Sequence, residues 1–440
     1  MAGTPGSYLA GPVGDVSHDG SVNQHHQPNR SGTPHAAPQQ RATAGLGPSV
    51  LPEPVDPGAS VPGEAEPTHR PSRRRRRRLL AWVLLTALLG GGLAAGALLP
   101  VDKVIESPGP TWNVLGTADG TDILTVSGAP VYASSGALRM TTVSVRGCPG
   151  YPVTLLDVVV AGFRPDQRVV DRETVCPDTM TADEVDQASQ AQMAGSQDSA
   201  VVAALMETGE ATSQTLTVAG TAEAEVGAVV STGDVLTSVT PAGGATTTVT
   251  TYTQLRDLMA TTAPGTSVTL GLTRDGAAVE ATVVTQEPED ATRAGSVLGL
   301  YLSVTADSTV NATFGLTDVG GPSAGMVFAL GIVDEMTPGS LTGGKDVAGT
   351  GTIDVTGAVG AIGGIAQKMA GAADAGSDYF LAPTANCADV VGHEPDGMEV
   401  YAVSTLHEAV EATTAIADDD TSELTTCQAV MDTSSSPTAS

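Results

Sequence analysis

Residues 79–100, LLAWVLLTALLGGGLAAGALLP, carry no charged side chain, and at about 1.5 Å of rise per residue a helix of that length spans roughly the 30 Å hydrocarbon thickness of a bilayer. The run therefore predicts one transmembrane helix. Six consecutive arginines, Arg73 to Arg78, abut its N-terminal end. An excess of positive charge beside an apolar span marks the cytoplasmic side, so everything after Pro100 is expected to be extracytoplasmic. A cleavable signal peptide is the competing reading, since Ala95-Gly96-Ala97 fits a small-residue cleavage pattern. The long polar stretch ahead of the run favours the anchor.

Residues 1–78 are rich in Pro, Gly, Ser, His and Gln, show no apolar periodicity and end in the arginine run. Such a segment cannot bury enough surface to offset chain entropy, and it is expected to be a disordered cytoplasmic tail. Its five histidines, His18, His25, His26, His35 and His69, lie in low-complexity sequence that defines no metal site. No cofactor or metal is expected elsewhere. A formal net charge of −29 excludes a nucleic-acid partner, because phosphate binding needs a basic surface. All four cysteines, Cys148, Cys176, Cys387 and Cys427, fall beyond the apolar run. An oxidising compartment would join them in two disulfides. Of the three possible pairings, Cys148 with Cys176 and Cys387 with Cys427 is the most local.

Residues 101–211 read as an extracytoplasmic α/β segment, with strand-like runs near 123–131 and 139–145 and an acidic, Ala- and Gln-rich helical stretch over 182–207. Residues 212–288 change character: short strands, a Gly233-Asp234-Val235-Leu236 segment, a helix over 252–260 and a hairpin. The hairpin is marked by alternation over 267–273, the turn pair Asp275-Gly276, and a return strand over 278–284. This order resembles a PDZ domain, with Leu255 and Leu258 on the helix and Pro264-Gly265 at the turn before the hairpin. The resemblance implies a groove that takes extended peptide at a sheet edge. The glycine-rich carboxylate loop of that family is not found before Val226. The structural alternative is a small β-rich spacer.

Residues 291–415 hold the chemistry. In GGPSAGMVFALGIVDEM, 320–336, glycines and Pro322 form a tight turn and an apolar helical run begins at Ser323. A serine at a buried helix start is placed either as an ordinary N-cap or as a nucleophile beside unsatisfied N–H groups that can bind an oxyanion. In AGTGTIDVTGAVGAIGGIAQKMAGAADAG, 348–376, Gly363-Gly364 precede a small-residue helix bearing Lys368, one of three lysines in the chain with Lys103 and Lys345. Close packing there would desolvate the amine. Acting as a base near neutrality requires its pKa to fall by about 3 units, roughly 4 kcal/mol. A surface lysine on an amphipathic helix is the plainer reading.

Together these two segments resemble the proteolytic domain of Lon proteases, which carry a nucleophilic serine in a GPSAG-type motif and a lysine base about forty residues later. The resemblance implies that Ser323 is the nucleophile, Lys368 its general base, and Thr350 in Gly349-Thr350-Gly351-Thr352 a threonine beside the lysine. It covers about 318–386. It implies an α+β fold with a Lon-type proteolytic domain over 291–415, preceded by the PDZ-like module and one N-terminal transmembrane helix, and followed by a C-terminal tail over 416–440. Two positions depart from the family pattern: Thr352 where an acidic residue is usual, and Gly320 where a charged one precedes GPSAG. No G-x-x-x-x-G-K-[ST] phosphate loop occurs in the 440 residues, so the ATP-driven unfoldase of soluble Lon is not expected among them.

The expected function is that of a membrane-anchored, ATP-independent serine endopeptidase with a Ser-Lys dyad. Its substrates would be exported or unfolded polypeptides, and family resemblance implies a possible homo-oligomer. Gly321-Pro322-Ser323-Ala324-Gly325 also satisfies G-x-S-x-G, the nucleophile elbow of α/β-hydrolases. That alternative needs Asp374 or Asp389 followed by His393 or His407. Gly357, Gly360 and Gly363 do not fit a dinucleotide fingerprint. From a different class comes the reading of a catalytically silent scaffold that binds peptides through the PDZ-like module.

Overall fold

A computed structural model describes residues 73–148, 152–176, 180–290, 293–316 and 319–435. The segment expected to be a polar tail lies, up to residue 72, outside the described residues. In chain order, α1 (Arg73–Ala97) is followed by β1 (Lys103–Asn113), β2 (Ala137–Arg146), α2 (Leu155–Ala161), β3 (Arg168–Asp171) and α3 (Ala182–Glu207). A second group comprises β4 (Gln214–Thr221), β5 (Val235–Pro241), α4 (Tyr252–Ala260), β6 (Ser267–Arg274), β7 (Ala277–Val284) and β8 (Leu300–Ala306). The chain ends with α5 (Gly325–Met336), β9 (Asp346–Gly349), α6 (Ile365–Asp374), β10 (Tyr379–Pro383), β11 (Glu399–Val403), α7 (Leu406–Ala417) and α8 (Cys427–Ser435).

Among the described residues α1 is the one helix long and apolar enough to cross a membrane, over Arg76–Ala97. Its leucines are uncovered, Leu88 being 73% exposed. From its end the chain pairs Pro100–Val101 with Val153–Thr154 and enters β1.

The first sheet has the order β11-β10-β9-β2-β1-β3. β2, β9, β10 and β11 run parallel, and β1 is antiparallel to both β2 and β3. Arg139 fixes the β2–β9 register by donating from Nε and Nη2 to the carboxylate of Asp346, which stands beside Ala137 at the head of both strands. Leu138 and Met140 of β2 share one buried core with Met326, Phe328, Leu330 and Ile332 of α5 and with Ala200 and Ala203 of α3. Residues 101–211 therefore do not stand apart from residues 291–415. They supply half the sheet and a covering helix, because β2 and α3 find their partners far along the chain, 208 positions on for Thr141 and 126 for Ser196.

The second sheet, β7-β6-β5-β4-β8, is antiparallel, with Thr247–Thr248 paired to β5. Its hairpin turns at Asp275 (φ 49°) and Gly276 (φ 78°), the pair of left-handed residues that a tight two-residue hairpin requires. Leu255 and Met259 of α4 close its core over Leu236, Val239, Leu270 and Leu272. β8 pairs with β4, and its other edge has no strand beside it among the described residues.

The cysteines pair in the local manner, Cys148 with Cys176 and Cys387 with Cys427. The second bridge corrects one expectation: the stretch expected to be a C-terminal tail from 416 is folded through 435. Thr425 accepts from the Ala402 amide, Cys427 is tied to Cys387, and Val430 and Met431 pack on the core beneath β10 and β11.

Candidate functional site

α5 and α6 lie on opposite faces of the first sheet. α5 packs with Val347 and Leu381, α6 with Ala348, Phe380 and Ala382, the alternating residues of β9 and β10. The two helices meet beyond the carboxyl end of β9, where the chain continues into Thr350 and Gly351. In parallel α/β sheets that end is where reactive groups collect.

α5 begins at Gly325, two residues later than its apolar run suggests, and Ser323 occupies the turn before it. Gly351 explains the offset. Its N–H donates to Ser323 O (2.9 Å) and its carbonyl accepts from the Met326 N–H (3.1 Å), so the strand extension pins both sides of the turn. One helix-start amide is thereby used. Among the described residues, the Ser323 and Ala324 amides have no protein acceptor.

Lys368 is 3% exposed. Its Nζ donates to Ser323 Oγ (2.7 Å) and to Thr350 Oγ1 (2.9 Å), and Thr350 Oγ1 donates in turn to Ser323 O (3.0 Å). The three residues singled out from the sequence thus share one network. Burial pushes the Lys368 amine down to about 7, because a low-dielectric surrounding disfavours the charged form. Gly364, at φ +67°, leaves room for Val143 where a side chain would crowd it, and so lets α6 start against β2. The histidines stand elsewhere. His407 bonds Glu207 (2.8 Å) on an exposed face, and exposed His393 caps a turn through its backbone. The arrangement that the G-x-S-x-G alternative needs is therefore not assembled around Ser323.

The sequence marks α3 as a helix but not its part in the site. Its Ser189 carbonyl accepts from the Gly321 N–H (2.9 Å), and its Ser196 Oγ donates to Pro322 O (2.9 Å), so one helix clamps the turn that presents Ser323. Gly320 is a glycine because a Cβ there would overlap Ser189, and Gly325 because one would overlap Ser196. The signal was present: Ser189, Met193, Ser196, Ala200 and Ala203 recur at helical spacing as a face of mostly small residues.

A cleft of about 800 Å³ opens between β8 and α4, with Tyr252, Leu255 and Met259 on one wall and Leu300, Leu302 and Val304 on the other. α3 and the turn at Asp354 and Val355 form its floor. That turn is tied to the second sheet, Gln214 donating to Val355 O (3.1 Å) and Arg256 to Thr356 Oγ1 (3.3 Å). Val297 and Leu298, just ahead of β8, also line the cleft.

Residues 298–415 match the Lon protease (S16) C-terminal proteolytic domain. A serine-peptidase domain of that class is present in the chain. Among curated proteins, the Lon protease of Rhizobium meliloti (strain 1021) is 36% identical over 107 residues, 24% of this chain and 13% of that protein. Lon protease 1 of Sorangium cellulosum (strain So ce56) is 35% identical over 107 residues, with the same coverage of both chains. The aligned region is thus a small part of either relative. The matched region begins two residues ahead of β8, the strand that lines the cleft.

Proposed function

We propose that the chain is a membrane-anchored serine endopeptidase that works without ATP, with Ser323 as nucleophile, Lys368 as general base and Thr350 as the group that orients the amine. The observation that carries this reading is the buried Lys368 amine, held 2.7 Å from Ser323 Oγ and lowered to about 7. A lysine so placed is neutral in a large fraction of molecules at physiological pH. Thr350 commits its hydrogen to Ser323 O, so toward Lys368 it can only accept. One N–H of the amine is held there, and the lone pair is left for the Ser323 hydroxyl.

In the reaction, Lys368 takes the Ser323 proton as Oγ bonds to the scissile carbonyl carbon. The oxyanion is received by the Ser323 and Ala324 amides at the start of α5. The Lys368 ammonium returns the proton to the leaving amine, and water repeats the cycle to free the acyl group and regenerate the serine. Residues 212–288 with β8 serve as a PDZ-like module. Its cleft would take extended polypeptide along the open edge of β8, with side chains entering the apolar wall. The arginine run supports a topology with the N-terminal end of α1 in the cytoplasm and the body outside. The absence of a phosphate loop from the 440 residues favours substrates that are already flexible or unfolded.

A fluorophosphonate probe on the full chain in detergent tests the dyad. Labelling at Ser323 is expected in the wild type and in His407→Ala, and its loss in Lys368→Ala. Equal labelling of Lys368→Ala would remove the lysine from the mechanism.

A further inference from the structure

α2 is a helix of the wrong polarity for water. Leu155, Leu156, Val159 and Val160 are each 45–50% exposed, and Phe163 just beyond its end is 84% exposed. A capping box between Thr154 and Asp157 fixes its start, so these side chains are presented by an ordered helix. Its position is specific. The Leu155 N–H donates to Leu99 O (3.0 Å), and the strand pair Pro100–Val101 with Val153–Thr154 ties it to the exit of α1. The disulfide between Cys148 and Cys176 closes the same flap. Leu155, Leu156 and Val159 form one apolar groove with Leu88, Leu89, Gly92, Leu93 and Gly96 of α1. At about 1.5 Å per residue, Leu88 lies about 14 Å inside the end of α1, close to half the hydrocarbon thickness. α2 is therefore level with a single leaflet.

Charge supplies a second, independent argument. Residues 101–176 hold six Lys or Arg against eight Asp or Glu, whereas residues 177–440 hold five against thirty-five. An anionic surface repels the second group strongly and the first hardly at all. Arg164 follows directly on Phe163 and Arg168 comes four residues later, both exposed, with Asp166 between them.

We propose that α2 and Phe163 insert into the leaflet at which α1 ends, with Arg164 and Arg168 at the headgroups, seating the catalytic body on an anionic lipid surface. This rests on the reading of α1 as a membrane span. An interfacial apolar helix buries its face at the boundary of headgroup and acyl chain, and here it removes the swivel that a single span would allow. Lys103 starts β1 at the membrane, and Gly109, against which Gly371 of α6 packs, lies six residues on. At about 3.3 Å per residue the lysine-bearing helix then sits on the order of 20 Å from the bilayer.

The test uses the full chain reconstituted in phosphatidylcholine vesicles with and without phosphatidylglycerol. One protein carries an environment-sensitive fluorophore at Leu88→Cys, another at Phe163→Cys, the four native cysteines being paired. Both positions are expected to lose roughly half of their emission or more to a lipid-borne spin label and to resist aqueous iodide. Quenching at 88 with iodide access at 163 overturns the seating while leaving the span intact. No lipid quenching at 88 overturns the span reading and the seating with it. Arg164→Gln with Arg168→Gln should weaken lipid quenching at 163 in the anionic vesicles only. An unchanged signal there refutes the headgroup contact.

Discussion

Lys368 is buried between two hydroxyl groups, and its chemistry and its cost have the same origin. A folded-state pKa of about 7 against an unfolded value near 10.4 means that the folded protein holds fewer protons between those pH values. Its stability should therefore rise with pH across that window, and below pH 7 the buried amine costs roughly 5 kcal/mol relative to an exposed one. Lys368→Met removes the charge while keeping most of the volume. It should abolish peptide hydrolysis, yet raise the urea midpoint at pH 6 and raise it much less at pH 9.5. Equal midpoints at the two pH values would contradict the assigned burial. Turnover of the wild type on an unfolded substrate should climb with a single ionisation near pH 7 as Lys368 loses its proton. Ser323→Ala should be inactive with an unchanged circular dichroism spectrum. Thr350→Val should lose on the order of 10²-fold in kcat with KM nearly unchanged, because the base is kept but turned. His393→Ala and His407→Ala should keep most activity.

At the scale of elements, the turn that presents Ser323 depends on a helix from another part of the chain. Gly320→Ala places a methyl group against Ser189 of α3, a forced contact of the kind that costs about 1–3 kcal/mol. It should lower kcat by displacing Ser323. Adding Ser189→Gly removes the obstructing atoms at about 1 kcal/mol of helix propensity, so the double variant should recover activity that each change alone cannot explain. Strict additivity of the two effects would rule the clamp out. Elements defined by nearby residues were legible in advance: α3 over 182–207, α4 over 252–260 and the hairpin at Asp275-Gly276 all follow from caps, periodicity and turn residues within a few positions. That Ser323, Thr350 and Lys368 come together in one hydrogen-bond network was readable in advance, because family resemblance fixes their spacing. What the sequence concealed is partnership. Nothing local to Leu138 says that β2 lies beside β9. Nothing local to Cys427 distinguishes a tail from a helix held by a disulfide and one β-bridge. The split into separate segments at 211 and 291 failed for the same reason, since β1–β3 are written before the second sheet and β9–β11 after it.

On the scale of the whole molecule, the proposed topology has a direct check: protease added to spheroplasts should digest the body and spare the tail ahead of residue 79. Hydrolysis of an unfolded protein by the purified full chain should proceed at the same rate with and without ATP, and tightly folded substrates should resist it. A nucleotide requirement would reveal a missing motor partner. One feature of the first sheet also governs timing. Thr141 of β2 reaches Gly349 across 208 positions of sequence, so the sheet cannot close until the chain well past the second sheet has been made and, under the proposed topology, moved through the membrane. Contacts of such long sequence separation form late. Ser323 and Lys368 sit on either side of that closing strand, so under the proposed dyad the nascent chain would be inert while it is still among the ribosome's other products. Under the proposed topology the capacity to cut would appear only when nearly the whole body has arrived on the far side, and a chain stalled during export would carry no active protease on the near one.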